Sequence, residues 1–401
     1  MKANSFVPFM KRKGDGSTLN LDFTGGSLDS RVVLTRSAAT ATYINSSGYV
    51  TTAVANEARF DYDPTTLAAK GLLIEGSATN LLKFSAYADL NWLVFGGYTK
   101  SYTTGITSPA NDSTAARVTF SAVGYGLYTS APTMGYTNSV GSVYTMSAWI
   151  RATTNTTNLN IRFGDSSVGF SANIPISTTW TRYSYSYTAV TNSGPQIGSA
   201  SGTATGEVEM WGFQLEIGTG ASSYIPTTTA QVTRNPDLAL MTSTNFSSWF
   251  TGGTTGTFFV DWYGGVRGIT STVRSVISTS DQTTKHLHLQ QASAAGVLKV
   301  ADFGAANSVS TANTITSGAR TKGAFNFNGA TSTVNLCLNG GTVATSSAIA
   351  FSVAPTWLVL GGTSTTGTSL TDLTTVLNGS IRQIKYYPTA LTSAQLIAMT
   401  T

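Results

Sequence analysis

Short runs of alternating apolar and polar residues recur along most of the chain. Five such runs, separated by Gly, Pro, Asn and Ser, lie between residues 83 and 228. A strand places successive side chains on opposite faces, so this alternation predicts β-strands. Several short strands without helical patterns between them are typical of a β-sandwich or jelly roll. The runs are AARVTFSA, SVYTMSAWIRA, NLNIRFG, TWTRYSYSYTAV and GEVEMWGFQLEIG.

A second set of alternating runs extends from residue 237 to residue 401 and predicts a second sandwich. Its end, TALTSAQLIAMTT, is the one clear helical pattern: Thr392 or Ser393 can cap it, and Leu396 and Ile397 begin a short apolar side. The strands are predicted in TGTFFVDWYGG, VRSVIST, KHLHLQQ, GVLKVADF, TKGAFNFNG, TVNLCLNGG, PTWLVLGG and GSIRQIKYYP.

Residues 1–82 form an N-terminal segment with little helical pattern. ATYINSSGYVTTA alternates around NSSG and predicts a β-hairpin in which Gly48 supplies the turn conformation. RFDYDP also alternates, and Pro64 ends that strand because it cannot donate to a sheet. We therefore predict an all-β chain with an extended or hairpin segment at 1–82, a jelly roll at 83–228, a linker marked by Pro226 and Pro236, and a sandwich at 237–401.

The composition supports the all-β prediction. Only 10% of the 401 residues are charged, whereas exposed helix faces are usually filled with charged residues. The net charge of +5 is spread thinly apart from KRK at residues 11–13. No segment combines a basic face with interleaved aromatics, so we predict a solvated arm or an anchor on an acidic partner there, and no nucleic-acid binding.

The sequence shows no targeting or redox signal. MKANSFVPFMKRKGDG lacks the apolar core of a secretory signal, and no window approaches the roughly 20 apolar residues of a membrane span, so we predict neither export by that route nor membrane insertion. Cys337 is the one cysteine, and its alternating surroundings predict a buried structural thiol.

Four successive motifs resemble a pattern near the front of many tailed-phage virion proteins: LDFTGG, LTRSAATATYINSSGYV, ARFDYDP and KGLLIEGSATNLL. They cover residues 20–82, although Gly76 and Ser77 stand where that family usually carries a bulkier residue. The resemblance implies a structural protein of a tail fibre, baseplate or capsid decoration, made in the host cytoplasm and released by lysis. It also implies other virion proteins as partners of the N-terminal segment, and a homo-oligomer, with a trimer as the family-level expectation.

Two further resemblances concern the sandwiches. VYTMSAWIRA, TTWTRYSYSYTA and GFQLEIGTGASSYIPT resemble a carbohydrate-binding-module jelly roll of the galactose-binding type. GAFNFNGATSTVNLCLNGG and LNGSIRQIKYYPTALTSAQLIAMTT resemble a concanavalin-like, laminin-G-like sandwich. Together they imply lectin-like domains that adhere to host-surface glycans, although a fold alone does not establish a function.

Sugar binding requires an aromatic side chain that stacks on the ring, with polar groups nearby. Trp149, Trp180 and Trp211 lie inside predicted strands and are interpreted as core. Aromatic residues in or beside Gly-rich loops are the candidates for carbohydrate binding: Trp92, Tyr98, Tyr102, Tyr125 and Tyr128 in the first sandwich and, more weakly, Trp262 and Tyr263 in the second.

Charges are concentrated in EARFDYDPTTLAAKGLLIEG, residues 57–76. We interpret Arg59, Asp61, Asp63 and Glu75 as a docking latch that fixes the N-terminal segment on the sandwiches, the first three bonding to backbone donors and to each other. The D-x-D spacing of Asp61 and Asp63 could bind Ca²⁺, but the further ligands of an EF-hand are missing, so no metal site is predicted.

We predict no enzyme and no cofactor. Glu207 and Glu209 share a strand face and could flank a glycosidic bond, but the second sandwich lacks the acidic signature of concanavalin-like glycosidases. His286 and His288 could hold a metal, but no further ligand follows at a short spacing, so we interpret them as ordinary strand histidines. The alternatives are a secreted bacterial adhesin or carbohydrate-binding protein and, less favoured, a glycan-degrading enzyme.

Overall fold

The chain is almost entirely β, as predicted: in the computed structural model, 51% of the described residues lie in strands and 4% in helices. Its side chains suit pleated, half-buried surfaces, and every strand pairing in its sheets is antiparallel. The structure describes residues 15–37, 41–86, 92–95, 102–120, 126–129, 136, 138–153, 160–165, 171–192, 194–199, 206–265, 273–280, 285–292, 296–302, 308–316, 318–349, 355–363 and 375–401.

The described residues form twenty-nine strands and two helices. The strands are β1 (Leu19–Asp22), β2 (Val33–Thr35), β3 (Ala41–Ile44), β4 (Val50–Ala53), β5 (Phe60–Tyr62), β6 (Ala69–Ile74), β7 (Ala78–Asn80), β8 (Trp92–Phe95), β9 (Tyr102–Ile106), β10 (Ala115–Phe120), β11 (Gly126–Thr129), β12 (Val143–Ala152), β13 (Asn160–Gly164), β14 (Ile174–Pro175), β15 (Thr181–Thr188), β16 (Gln196–Ser199), β17 (Gly206–Ile217), β18 (Val232–Arg234), β19 (Leu238–Met241), β20 (Thr255–Tyr263), β21 (Val273–Ser280), β22 (Lys285–Ala292), β23 (Val297–Asp302), β24 (Ser308–Thr314), β25 (Arg320–Asn328), β26 (Thr333–Leu338), β27 (Ala344–Ser346), β28 (Trp357–Leu360) and β29 (Gly379–Tyr387). The helices are α1 (Ser243–Ser247) and α2 (Ser393–Thr400).

The first sandwich packs two five-stranded sheets, ordered β15-β12-β17-β10-β9 and β14-β13-β16-β11-β8. All five strands predicted for it, now β10, β12, β13, β15 and β17, are confirmed. Met146, Phe163 and Phe213 point into the core between the sheets, where each is fully buried. Trp149 and Trp211 point to the opposite face of their sheet, where each is only 4% exposed.

The second sandwich packs an eight-stranded sheet on a seven-stranded one. The first has the order β27-β26-β25-β20-β29-β6-β5, with β1 also pairing β29, and the second has the order β2-β19-β28-β21-β22-β23-β24. The eight strands predicted for this region are confirmed. Trp249, Trp262 and Phe258 lie in its core, each at most 1% exposed.

The N-terminal strands belong to the second sandwich. β1 and β6 pair with successive parts of β29, and β2 pairs with β19. The sequence pattern predicts a separate segment at 1–82, but these pairings place most of its strands inside two sheets whose other members come from after residue 237. The boundaries at 82, 228 and 237 stay predictions.

The first sandwich is inserted into the second. β7 pairs with β18, with Asn80 opposite Val232, so the chain leaves and re-enters the second sandwich at one point. Asn80 also donates from Nδ2 to the backbone oxygens of Phe213 and Ile225. The two-stranded ribbon β7–β18 is therefore the connection between the sandwiches.

The predicted β3–β4 hairpin is confirmed and covers the outer face of the first sandwich. Gly48 has a φ of +83°, and a Cβ there would lie 2.9 Å from Leu67 Cδ2, so glycine is required in this turn. Val50 packs with Trp149, Trp211 and Tyr224 in a small apolar cluster. The hairpin thus holds N-terminal residues against the inserted sandwich.

The C-terminal helix α2 is confirmed with its predicted cap. Thr392 accepts a hydrogen bond from the Gln395 backbone, and the Gln395 side chain accepts one from the Thr392 backbone. Cys337 is buried beneath this helix, with Sγ 3.2 Å from Thr400 Oγ1, which confirms the structural thiol. Neither helix among the described residues is long and apolar enough to cross a membrane.

Candidate functional site

Five buried charged side chains meet where the ribbon β7–β18 joins the two sandwiches. We call Arg36, Arg59, Glu75, Arg234 and Asp237 the junction network. They come from two parts of the chain, residues 36–75 and 234–237, and each lies at one end of a strand or directly beside that end. Each is at most 4% exposed, so three guanidiniums and two carboxylates are held together away from water, where unpaired charges are costly.

Arg59 is the centre of the junction network. Its Nη1 donates to Glu75 Oε2 at 2.7 Å, and its Nη2 donates to Asp237 Oδ2 at 2.5 Å. Arg36 donates to the other oxygen of Asp237 at 2.8 Å, and Arg234 lies 3.5 Å from Glu75 Oε2. Both buried carboxylates therefore have two guanidinium partners or neighbours.

Glu75 links the network to the inserted sandwich. Its two oxygens accept from the backbone N–H and the hydroxyl of Ser223, at 2.8 and 2.7 Å. Burial alone would raise the pKa of Glu75, but the guanidiniums of Arg234 and Arg59 outweigh burial and hold that pKa well below its usual range. The carboxylate is therefore ionised throughout the ordinary pH range.

The other two residues of the predicted docking latch have local roles. Asp61 accepts from the Ile44 backbone N–H at 2.9 Å, and Asp63 accepts from two backbone N–H groups in the turn after β5. The expected bonding to backbone donors is thus present for Asp61 and Asp63. The expected pairing of Arg59 with them is wrong, because a fully buried guanidinium finds the buried carboxylates of Glu75 and Asp237 instead.

A cleft of about 350 Å³ opens beside the junction network. We call it the junction cleft. The β3–β6 region, the outer face of the first sandwich and one edge of the second sandwich each contribute to its walls. Its size falls within the range of ordinary ligand sites.

Aromatic and polar side chains converge in the junction cleft. Tyr43 and Tyr263 are half-buried and line it from different strands, while the almost fully buried Trp149 and Tyr224 present only small parts of their rings. The polar side chains that line it include Asp61, Lys70, Glu75, Arg182, Asn378 and Ser380.

Glycine permits the close approach that forms one edge of the cleft. A Cβ on Gly265 would lie 1.8 Å from the backbone oxygen of Asn378, so a larger residue cannot fit between these segments. Asn378 in turn accepts from the Gly76 backbone N–H at 2.8 Å. These contacts fix the position of Tyr263, which is separated from Gly265 by one residue.

The carboxyl of Asp61 is the group in the cleft whose charge depends on pH near neutrality. Burial raises the pKa of Asp61 to about 6 from its ordinary value of 3.8, against the opposing effects of Lys70 and the bond from Ile44. In the folded protein Asp61 therefore retains its proton over a pH range in which the unfolded chain has lost it.

Substitution of Asp61 by Asn is expected to change how stability depends on pH. Between pH 4 and pH 6 the folded state binds more protons than the unfolded state, so the wild type loses stability as the pH rises. Asp61→Asn removes this loss. The stability of the variant relative to the wild type should therefore be higher at pH 7 than at pH 4. Urea unfolding of both proteins at both pH values measures their free energies of unfolding. If the variant and the wild type differ by the same amount at pH 4 and pH 7, the raised pKa of Asp61 is contradicted.

The predicted sugar-binding aromatics have different outcomes. Tyr98 and Tyr125 lie outside the described residues, and of Trp92, Tyr102 and Tyr128 the structure describes only the strand backbone, so all five stay predictions.

The two sugar-binding candidates of the second sandwich differ in their exposure. Trp262 is wrong as a stacking platform, because alternation along β20 points it into the core, where it is 0% exposed. Its neighbour Tyr263 points outward, is half-buried and lines the junction cleft. Of the predicted sugar-binding side chains that the structure describes, Tyr263 is the one that lies in this cleft.

Sequence reasoning missed the other members of the cleft. The sequence pattern places Tyr43 in a hairpin and Trp149 in the core, and it gives no role to Lys70, Arg182 or Asn378. One sequence signal could have pointed to some of these residues, namely the scarcity of charge. Only 10% of the residues are charged, and several of the charged residues line this one cleft.

The candidate catalytic carboxylates do not lie in the junction cleft. Glu209 is 4% exposed, and its two oxygens accept from Arg117 at 2.7 Å and Arg151 at 2.5 Å. Glu207 lies 4.0 Å from Arg117 and also bonds Thr119. Both carboxylate oxygens of Glu209 are bonded to arginines, so we assign Glu209 a structural role on the outer face of this sheet.

No metal site emerges from the part of the chain that the structure describes. Its His, Cys, Asp and Glu residues form no group of three or more that could hold an ion. His288 is buried in β22, and the side chain of His286 lies outside the described residues.

The fold and site define a two-sandwich β protein with a cleft between its domains. No family model matches the chain, and no curated protein matches it. Solved structures with similarity to the chain include carbohydrate-binding modules that have a β-sandwich fold.

The structural similarities are partial. The CBM40 of the Ruminococcus gnavus IT-sialidase, solved with alpha2,3 sialyllactose, is 20% identical, with 37% of this chain and 83% of that chain covered and a TM-score of 0.31. The CBM22-1 xylan-binding domain from Paenibacillus barcinonensis is 13% identical, with 36% and 97% covered and a TM-score of 0.28. The leech intramolecular trans-sialidase is 21% identical, with 37% and 23% covered and a TM-score of 0.29. At these values the similarity assigns no ligand or activity to this chain.

Proposed function

We propose that this protein is a non-enzymatic carbohydrate-binding protein and that its junction cleft holds the glycan. The observation that carries the proposal is the convergence of two half-buried tyrosines, Tyr43 and Tyr263, with the polar side chains of Asp61, Lys70 and Asn378 in one cleft. Tyrosine rings stack on the apolar faces of sugars, and carboxylate, ammonium and amide groups orient hydroxyls.

The arrangement suits binding rather than turnover. Of the two carboxylates that line the cleft, Glu75 is committed to Arg59 and Ser223. Asp61 is then the one carboxyl in the cleft without a guanidinium hydrogen bond among the described residues. Glycoside hydrolysis by the usual route needs two available carboxyl groups, and the described residues of this cleft supply only one.

Removal of the Tyr263 ring is expected to weaken glycan binding. Tyr263→Ala should reduce affinity for host-surface polysaccharide by about tenfold, because one stacked aromatic contributes roughly 0.5–1.5 kcal/mol beyond the area that it buries. Glycan-array binding followed by calorimetry measures the effect. Tyr49→Ala is the matched control, since Tyr49 is 41% exposed and does not line the cleft. Equal binding by the two variants would exclude the cleft as the site.

We further propose that the protein is a structural component of a phage virion, in a tail fibre, baseplate or head decoration, and adheres to host glycans. The support is the ordered succession of motifs in residues 20–82. A laminin-G-like identity of the second sandwich likewise rests on its sequence motifs. Display of many copies would multiply a weak affinity per site.

Mass spectrometry of purified phage particles tests the virion proposal. The chain should be present in a fixed copy number per particle that resists washing with high salt. Detection only in the lysate, or loss of the chain on purification, would contradict the proposal and favour the secreted bacterial adhesin.

A further inference from the structure

Arg182 differs from the arginines of the junction network. Arg36 and Arg59 each donate to a carboxylate at 2.8 Å or less. Arg182 lies in β15, is half-buried and lines the junction cleft, yet its side-chain bonds go to the backbone oxygen of Ser222 and the hydroxyl of Ser147. Among the described residues no carboxylate lies within ion-pair distance of its guanidinium.

The guanidinium of Arg182 has unused donor capacity. A guanidinium carries five N–H donors. Nη1 donates to Ser222 at 2.5 Å, Nη2 donates to Ser147 at 3.0 Å, and Nε has no acceptor within the described parts of the chain. Burial lowers the pKa of Arg182, while Glu216 and Glu75 favour its charge only from longer range. A poorly hydrated cation without a contacting anion is costly, and a bound anion would remove that cost.

We propose that Arg182 is the anion-binding residue of the junction cleft and that the ligand is an acidic glycan, whose sugar carboxylate pairs with this guanidinium. This inference rests on the proposed function of the cleft. An arginine side chain matches the planar geometry of a carboxylate and can bind both of its oxygens. Lys70 adds a second cation to the cleft wall, 3.8 Å from its partner Asp63.

The charges of the cleft favour a monoanion. Asp61 and Glu75 also line it, so a phosphate monoester, with nearly two negative charges, would be repelled by both carboxyls more strongly than a sugar carboxylate, which carries one. A hexuronate ring presents one carboxylate together with the apolar ring face that Tyr263 can stack on.

The test uses a panel of hexuronate-containing oligosaccharides, each paired with its carboxyl-reduced neutral counterpart. Calorimetry with the full chain should show that the acidic member binds more tightly, by on the order of tenfold to a hundredfold, as expected for hydrogen bonds to a charged group. Arg182→Gln should reduce the affinity for the acidic member to that for the neutral one. Arg182→Lys should recover part of the preference.

Two controls separate the possible failures. Arg162→Gln changes an arginine of the same sandwich that does not line the cleft, and it should keep the preference. Near-ultraviolet circular dichroism checks that Arg182→Gln is folded. Binding that depends on Tyr263 but not on the carboxylate or Arg182 would overturn this inference alone. Absence of binding by the wild type to every member, or binding unaffected by Tyr263→Ala, would overturn the proposed function as well.

Discussion

Deletion of residues 1–82 is expected to unfold the second sandwich. The deletion removes β1 and β6 from the side of β29, and it removes β2 from the side of β19. It also removes five core side chains, each worth roughly 1.5–3 kcal/mol when buried, against a total stability of about 5–15 kcal/mol for a domain. Those side chains are Leu19, Leu21, Phe23, Leu72 and Ile74, all at most 1% exposed.

The contrasting deletion variant lacks the inserted sandwich. Replacement of residues 82–230 by a short Gly/Ser linker should leave the second sandwich folded, because Asn80 and Val232 are already opposite each other in the ribbon. Near-ultraviolet circular dichroism and NMR dispersion compare the two proteins. A folded second sandwich in the protein that lacks residues 1–82 would contradict the strand pairings and restore the interpretation of these residues as a separate segment.

Substitution of Arg59 by Met is expected to reduce the free energy of unfolding by about 3–5 kcal/mol. The guanidinium is 0% exposed and bonds both Glu75 and Asp237, so its removal leaves two buried carboxylates with one fewer cation between them. Methionine nearly fills the same space, which limits the loss from packing. Denaturation by urea or guanidinium chloride measures the change.

Arg31→Met is the matched control for the loss of an ion pair. Arg31 pairs with Asp29 at 2.7 Å, but both side chains are partly exposed, by 31% and 25%, so the expected cost is at most about 1 kcal/mol. Equal losses of unfolding free energy in Arg59→Met and Arg31→Met would show that burial does not increase the stabilisation provided by the ion pairs of the junction network.

Local features of the fold could be predicted from the sequence because they depend on neighbouring residues. Alternation in GEVEMWGFQLEI predicts β17, NSSG predicts the β3–β4 hairpin, and Thr392 predicts the start of α2. Each of these signals spans only a few positions, so no knowledge of distant contacts was needed.

The insertion and the site could not be predicted, because they depend on distant pairs. Asn80 pairs with Val232, and the chain offers only three residues on each side to specify that ribbon. Arg59 and Asp237 are 178 positions apart. Trp262 and Tyr263 are adjacent aromatic residues on β20. Which face of that strand packs on the core decides that Trp262 is buried and that Tyr263 lines the cleft.

A crystal structure of the full chain with an oligosaccharide that it binds tests the proposed site most directly. We predict density for a sugar ring in the junction cleft, against the ring of Tyr263 and within hydrogen-bond distance of Lys70 or Asn378. A sugar bound elsewhere on either sandwich, with the cleft empty, would contradict the proposal.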